Sequence, residues 1–245
     1  MRDLKTLPIA VLLWISMGAL TACQPQQDLP VVAPVQIEPP AYVSDDAKSY
    51  YRQRIPEIAG QAPLVGGVLF LGDSLIEGGN WSALFPGVES RNHGIGWDTS
   101  IGVKKRLALV GVHNPKQIYI MIGANDIGYE KTSAEIVENI ASISLLLREK
   151  HPFAQIYVQS LLPRQIEMAQ NIAAINEELK TRLLDDALKD KDIEYLDLTS
   201  HFISELGGLR ADLTYDGLHL NENGYAVWAS LIGRRVTRTS SKGGP

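Results

Sequence analysis

Asp216-Gly217-Leu218-His219 puts a carboxylate and an imidazole three residues apart, close enough to share one turn. A histidine oriented by a carboxylate is a ready general base, which needs only a nucleophile to act on. Ser74, far upstream in Gly72-Asp73-Ser74-Leu75, is a candidate for that nucleophile. A serine hydroxyl attacks a carbonyl when a base removes its proton, and the resulting oxyanion needs fixed donors aimed at it. The Asn125 amide in Gly123-Ala124-Asn125-Asp126, the Ser74 N–H and a backbone N–H from residues 94–97 could supply them. Each residue also has a plainer reading: a helix N-cap for Ser74, a satisfied buried imidazole for His219, a turn-stabilising amide for Asn125.

The elements that must position these residues read as alternating strands and helices. Val68–Leu71, Ile118–Ile122, Ile156–Val158 and Ile193–Leu198 are short continuous apolar runs. Their continuity suits parallel strands covered on both faces. A weaker strand is expected over Val88–Asn92. Thr132 and Glu135 have capping-box spacing at the head of a helix with Ile136, Ile140, Ile143 and Leu147 on one face, ending before Pro152. Met168, Ile172, Ile175, Leu179 and Leu183 mark a second helix, and a last one follows Asn221 through Val227, Trp228 and Leu231. Alternation of this kind predicts a three-layer α/β/α domain with a mainly parallel five-stranded sheet. Open sheets bind ligands beyond the carboxyl ends of their strands. Ser74, Asn125, Arg164 and the Asp216–His219 loop all follow strands and are expected on that rim.

The amino-terminal region reads differently. Arg2 and Lys5 precede an uncharged apolar run, Leu7–Leu20, that is shorter than the ~20 residues of a membrane-spanning helix and suits a signal-peptide core. It ends in Leu20-Thr21-Ala22-Cys23, which resembles a bacterial lipobox and implies lipidation of Cys23, the chain's single cysteine. The expected organisation is a signal peptide over 1–22, a proline-rich tether over 23–43, a catalytic domain over 44–236 and a disordered tail over 237–245. Ordinary secretion or an uncleaved anchor are the alternatives. Gln24 after the cysteine, by resemblance to lipoprotein sorting, points to the periplasmic side of the outer membrane. One cysteine permits no internal disulfide. A formal net charge of −5 without a basic stripe argues against nucleic acid as a partner.

Gly72-Asp73-Ser74-Leu75, Asn92-His93-Gly94-Ile95-Gly96-Trp97-Asp98, Gly123-Ala124-Asn125-Asp126 and Asp216-Gly217-Leu218-His219 together resemble the four blocks of the SGNH (GDSL-type) hydrolases, in the family's order. Leu161-Leu162-Pro163-Arg164 is similar to the platelet-activating-factor acetylhydrolase branch. The resemblance covers about residues 65–235. It implies a flavodoxin-like fold, no cofactor or metal, and cleavage of acyl esters of lipids or carbohydrates, with short acyl or O-acetyl groups expected. It implies Ser74, Asp216 and His219 as catalytic residues, and Ser74, Trp97 and Asn125 around the oxyanion. The family places glycine directly before the second block's aspartate; here Trp97 stands there, with Gly96 as the alternative donor. An acyltransferase using the same residues, or a silent binding module, are the competing readings.

An α/β-hydrolase elbow fits less well, because Ile76 stands where glycine should follow the serine by two. Asp73, Asp98 and Asp126 read as turn-bracing residues. His93, His113, His151 and His201 lack metal-ligand spacing. Arg164 either contacts substrate or braces the rim, and Trp81 and Tyr215 are candidates for a pocket wall or for the core.

Overall fold

The computed structural model describes residues 37–185 and 191–237. The signal peptide, Cys23, most of the tether and the tail from 238 onward fall outside that range. Residues 37–43, expected as the end of the tether, are packed instead: Pro39, Pro40 and Val43 are buried. The Tyr42 and Thr99 hydroxyls are 3.0 Å apart.

Helix α1 (Asp45–Ala59) opens the domain, with Ser44 accepting from the Ala47 N–H at its head. Tyr51, Ile55 and Ile58 recur at helical spacing and are buried on one face. Strand β1 (Val68–Gly72) runs straight into the one-turn helix α2 (Ser74–Glu77). The chain continues through α3 (Trp81–Leu84), β2 (Ser90–Gly94), α4 (Ser100–Lys105), α5 (Leu107–Val110), β3 (Gln117–Met121) and α6 (Ala124–Gly128). Then follow α7 (Ser133–Lys150), β4 (Gln155–Gln159), α8 (Ala169–Leu184), β5 (Ile193–Leu196), α9 (Thr199–Phe202) and α10 (Glu222–Thr237).

The five strands form one all-parallel sheet in the order β2-β1-β3-β4-β5. That order is the flavodoxin-like arrangement, with its crossover reversal at β1/β3. Strands β1 and β3 are buried throughout, as continuous apolar runs require. The capping box at Thr132 and Glu135 is formed, and α7 ends at Lys150 with His151 as its C-cap, before Pro152.

All five strands differ from the expected runs at one or both ends: β1 runs one residue further, to Gly72, β4 gains one residue at each end, and β5 stops at Leu196 instead of Leu198. Strand β3 starts one residue earlier, at Gln117, and β2 lies two residues later than Val88–Asn92. Strand β2 is an edge with a partner on one side only, so half-exposed polar residues are tolerated there and the apolar signal is weak. The shift carries His93 and Gly94 into the sheet. Gly94 has a steric reason: a Cβ there would collide with the Glu77 backbone. The β2 terminus therefore abuts α2 beside Ser74.

Candidate active site

Ser74 is the first residue of α2, so its N–H has no intrahelical acceptor. Asp73 caps this turn, accepting from the Leu75 N–H at 3.0 Å. Burial pushes the Asp73 carboxyl up to about 7. Around the turn lies a buried polar lattice. Arg106 Nε pairs with Asp98 Oδ2 at 2.8 Å, and Arg106 Nη2 donates to the Gly72 carbonyl at 2.9 Å, with both charged side chains fully buried. Burial also pushes Asp98 up, to about 6, against the pull of Arg106. Asn92 Nδ2 reaches the carbonyls of Ile76, Glu77 and Gly79. Asp126 accepts from the Ser100 N–H and hydroxyl. The three aspartates thus brace the loops around the site.

The acid–base loop is held mainly by its own atoms. Asp216 Oδ1 accepts from the N–H groups of Leu218 and His219 at 2.9 and 2.7 Å. The Thr214 hydroxyl donates to the His219 carbonyl at 2.6 Å and accepts from Gly217 N–H at 2.9 Å. Gly217 has φ +79°, a left-handed position that glycine adopts without a Cβ clash. Asp216 Oδ2 lies 2.8 Å from His219 Nδ1, and His219 Nε2 lies 3.2 Å from Ser74 Oγ. The bonds from His219 hold the Asp216 carboxyl down at about 2. An ionised carboxylate only accepts, so Nδ1 carries the proton and Nε2 accepts from the serine hydroxyl.

On the opposite wall, Ile95–Asp98 form a β-turn closed by Asp98 N–H donating to the Ile95 carbonyl at 3.1 Å. Trp97 occupies its third position with φ +59°. Gly96 has no positive φ, so the turn is type II, which usually takes glycine at that place. A left-handed tryptophan costs about 1–2 kcal/mol. Its N–H has no partner among the described residues, whereas Gly96 N–H donates to Glu77 Oε2 at 2.6 Å. Gly96 is therefore occupied, and Trp97 is the free donor. Asn125 Nδ2 donates one hydrogen to the Asp98 carbonyl at 2.9 Å, leaving its second available. Ser74, His219, Asn125, Trp97 and Gly96, with Tyr50, Glu77 and Leu218, line one cavity of about 300 Å³.

Two expected substrate-binding residues lie elsewhere. Trp81 is a core residue: its ring stacks on Phe70 at 4.0 Å and its indole N–H donates to the Ile76 carbonyl at 3.0 Å. Burying so large a ring outweighs leaving it at a wall. Arg164 braces the rim, donating through Nη1 to the Ala124 carbonyl at 2.8 Å, and does not line the cavity. Tyr215 projects into solvent. His93 and His113 form a buried pair with Nε2 atoms 3.1 Å apart, away from the cavity. Among the described residues no group of three or more His, Cys, Asp or Glu could hold a metal ion. Sequence reasoning missed Tyr50, Arg54 and Glu77. Glu77 alone had a signal, standing one helical turn after Ser74.

A flavodoxin-like sheet thus carries a hydroxyl, an imidazole and a carboxylate in hydrogen-bonding series beyond the carboxyl ends of its strands. Residues 70–227 match the GDSL-like Lipase/Acylhydrolase family. The chain belongs to that family and is a carboxylic ester hydrolase by class. It is similar to the platelet-activating factor acetylhydrolase IB subunit alpha2 of Rattus norvegicus, 33% identical over 168 residues, covering 65% of this chain and 71% of the relative. It is also similar to the alpha1 subunit of Bos taurus, 28% identical over 190 residues, covering 72% and 79%. In fold it is similar to a GDSL-like lipase of Bacteroides thetaiotaomicron, with a TM-score of 0.59, 22% identity, and 77% and 97% of the two chains covered.

Proposed function

We propose that the protein hydrolyses short-chain acyl esters, O-acetyl groups of lipid or carbohydrate above all, through an acyl-serine intermediate. The observation that carries this reading is the unbroken series Asp216 Oδ2–His219 Nδ1, His219 Nε2–Ser74 Oγ, at 2.8 and 3.2 Å, opening into the cavity. His219 takes the hydroxyl proton as Ser74 Oγ attacks the carbonyl carbon. The N–H groups of Ser74 and Trp97 and the Asn125 amide stabilise the tetrahedral oxyanion. His219 then protonates the leaving alcohol as the acyl-enzyme forms. A water molecule, deprotonated by the same imidazole, releases the acid and restores Ser74.

The cavity, about 300 Å³ and walled in part by Tyr50, Trp97 and Leu218, has room for a short acyl group beside Ser74. The acetylhydrolase names of the alpha1 and alpha2 relatives point the same way. A p-nitrophenyl ester series from acetate to octanoate tests this. Turnover is expected to peak at acetate, and Ser74→Ala is expected to lower it by on the order of 10⁴-fold or more. Full turnover by Ser74→Ala would sink the reading.

We further propose that Cys23 is lipidated and holds the domain on the periplasmic side of the cell envelope, at the outer membrane. Leu20-Thr21-Ala22-Cys23 supports this. Release of the Cys23→Ser protein from the membrane fraction is the expected outcome, and unchanged fractionation would count against it.

A further inference from the structure

We infer that Glu77 is a positioning residue of this site. Its carboxylate, locked by Tyr50 and Arg54 of α1, holds the Ile95–Asp98 turn in the form that presents Trp97 N–H to the cavity. The inference rests on the hydrolase reading above and adds to it a residue and a helix.

Glu77 ends α2, one turn after Ser74, and its side chain lines the cavity. Its two oxygens are fully engaged. Oε1 accepts from the Tyr50 hydroxyl at 2.8 Å and pairs with Arg54 Nε at 3.0 Å. Oε2 accepts from Gly96 N–H at 2.6 Å. Its backbone carbonyl is held by Asn92. A carboxylate immobilised from three sides is a poor group for binding substrate directly and a good one for fixing whatever it touches. What it touches is the second position of the strained turn.

In a type II turn the central peptide, here Gly96–Trp97, is flipped relative to type I, which reverses the direction of the Trp97 N–H. Relaxation to type I would relieve the left-handed tryptophan and turn that donor away. The charge-assisted bond from Gly96 N–H lies on the preceding peptide and anchors the turn to Glu77. Glu77 also holds the Tyr50 hydroxyl and so fixes a ring whose contact with Trp97 the flip would break. The Trp97 ring meets Tyr50 edge-on, with centroids 5.4 Å apart, so α1 supports the turn at two points. Helix α1 lies outside residues 70–227. A segment beyond the family match therefore completes the oxyanion side.

The test measures kcat, KM and inhibition by methylboronic acid, which forms a tetrahedral adduct on an active serine, in Glu77→Ala, Glu77→Gln and Trp97→Gly, with melting curves for each. Glu77→Ala is expected to lower kcat on p-nitrophenyl acetate by roughly 10–100-fold with KM nearly unchanged, and to weaken the boronate in proportion. Glu77→Gln, which can still accept from Gly96, should recover most of the loss. Glycine tolerates the left-handed position, so in a Trp97→Gly background Glu77→Ala should cost at most about threefold. An unchanged kcat, a loss confined to KM, or an equal loss in the glycine background would each overturn the inference. If Glu77→Ala alone does not fold, the double variant against Trp97→Gly decides, and a loss of about tenfold or more there overturns it. A wild type that is inactive, or matched by Ser74→Ala, would instead remove the hydrolase reading itself.

Discussion

Ser74 and His219 meet at 3.2 Å, yet the two sides of that bond are anchored in different ways. The serine side hangs from a lattice that joins segments between residues 50 and 125, buried at Arg106 to Gly72 and Asp98 and partly buried at Asn125 to Asp98 and Glu77 to Gly96 and Tyr50. The Asp216–His219 side is about half exposed and closes on itself within Thr214–His219. The first obtains its precision from tertiary packing, where a charge removed from its partner is expensive. The second obtains it from a short run of local hydrogen bonds in water-accessible surroundings. Damage to the first should therefore reach the fold, and damage to the second should reach only the chemistry.

The sharpest way to break this contrast is Arg106→Ala. Losing a fully buried partner leaves Asp98 uncompensated, so stability should fall by about 3–5 kcal/mol, read by denaturant unfolding. A loss below about 1 kcal/mol would show that the lattice is not what holds the serine side. Next in size, Asn125→Ala should lower kcat by about 10²-fold through loss of an oxyanion donor, with KM little changed. Asp216→Ala should lower kcat by roughly 10–100-fold while leaving stability within about 0.5 kcal/mol, since its carboxylate is half exposed. A large drop in melting temperature in that variant would erase the distinction between the two sides.

The smallest effect concerns pH. The Asp73 carboxyl is raised to about 7 in the fold, so the folded state binds more protons than the unfolded one between the two values. Its contribution is fully present below the ordinary aspartate range and is lost as pH rises through about 7. Asp73→Asn should accordingly melt a few degrees higher than wild type at about pH 8, with the gap closing near about pH 4. Asp216 behaves oppositely: its carboxyl is held down at about 2, so its contribution persists until pH falls toward that value. A gap that stays constant from about pH 4 to 8 would mean that Asp73 is not held protonated by its burial.

The fold was largely legible. Four apolar runs became strands of a parallel sheet in the expected layers, because a strand buried on both faces must be apolar along its length. Edge strand β2 was misplaced by two residues, and α1 was not anticipated, since one has a single partner strand and the other carries many charged residues around a narrow apolar face. Trp81 and Arg164 were ambiguous for a related reason. An aromatic ring or a guanidinium after a strand can face the core, the rim or the cavity, and the choice depends on neighbours distant in sequence. Phe70 took the ring of Trp81, and the Ala124 carbonyl took Arg164.

By itself the sequence determined the acid–base loop, because Asp216, Gly217 and His219 need only one another and Thr214 to adopt their geometry. It also determined that Ser74 and Asn125 would reach the same rim, because both follow strands of one sheet. The choice between Gly96 and Trp97 as the proposed oxyanion donor was left to tertiary structure. Whether Gly96 or Trp97 keeps a free N–H depends on a carboxylate nineteen residues away at Glu77, and on a helix that brings Tyr50 and Arg54 to it. Hydrogen bonds between segments so far apart leave no periodicity or spacing in the chain, and only the folded sheet edge brings them together.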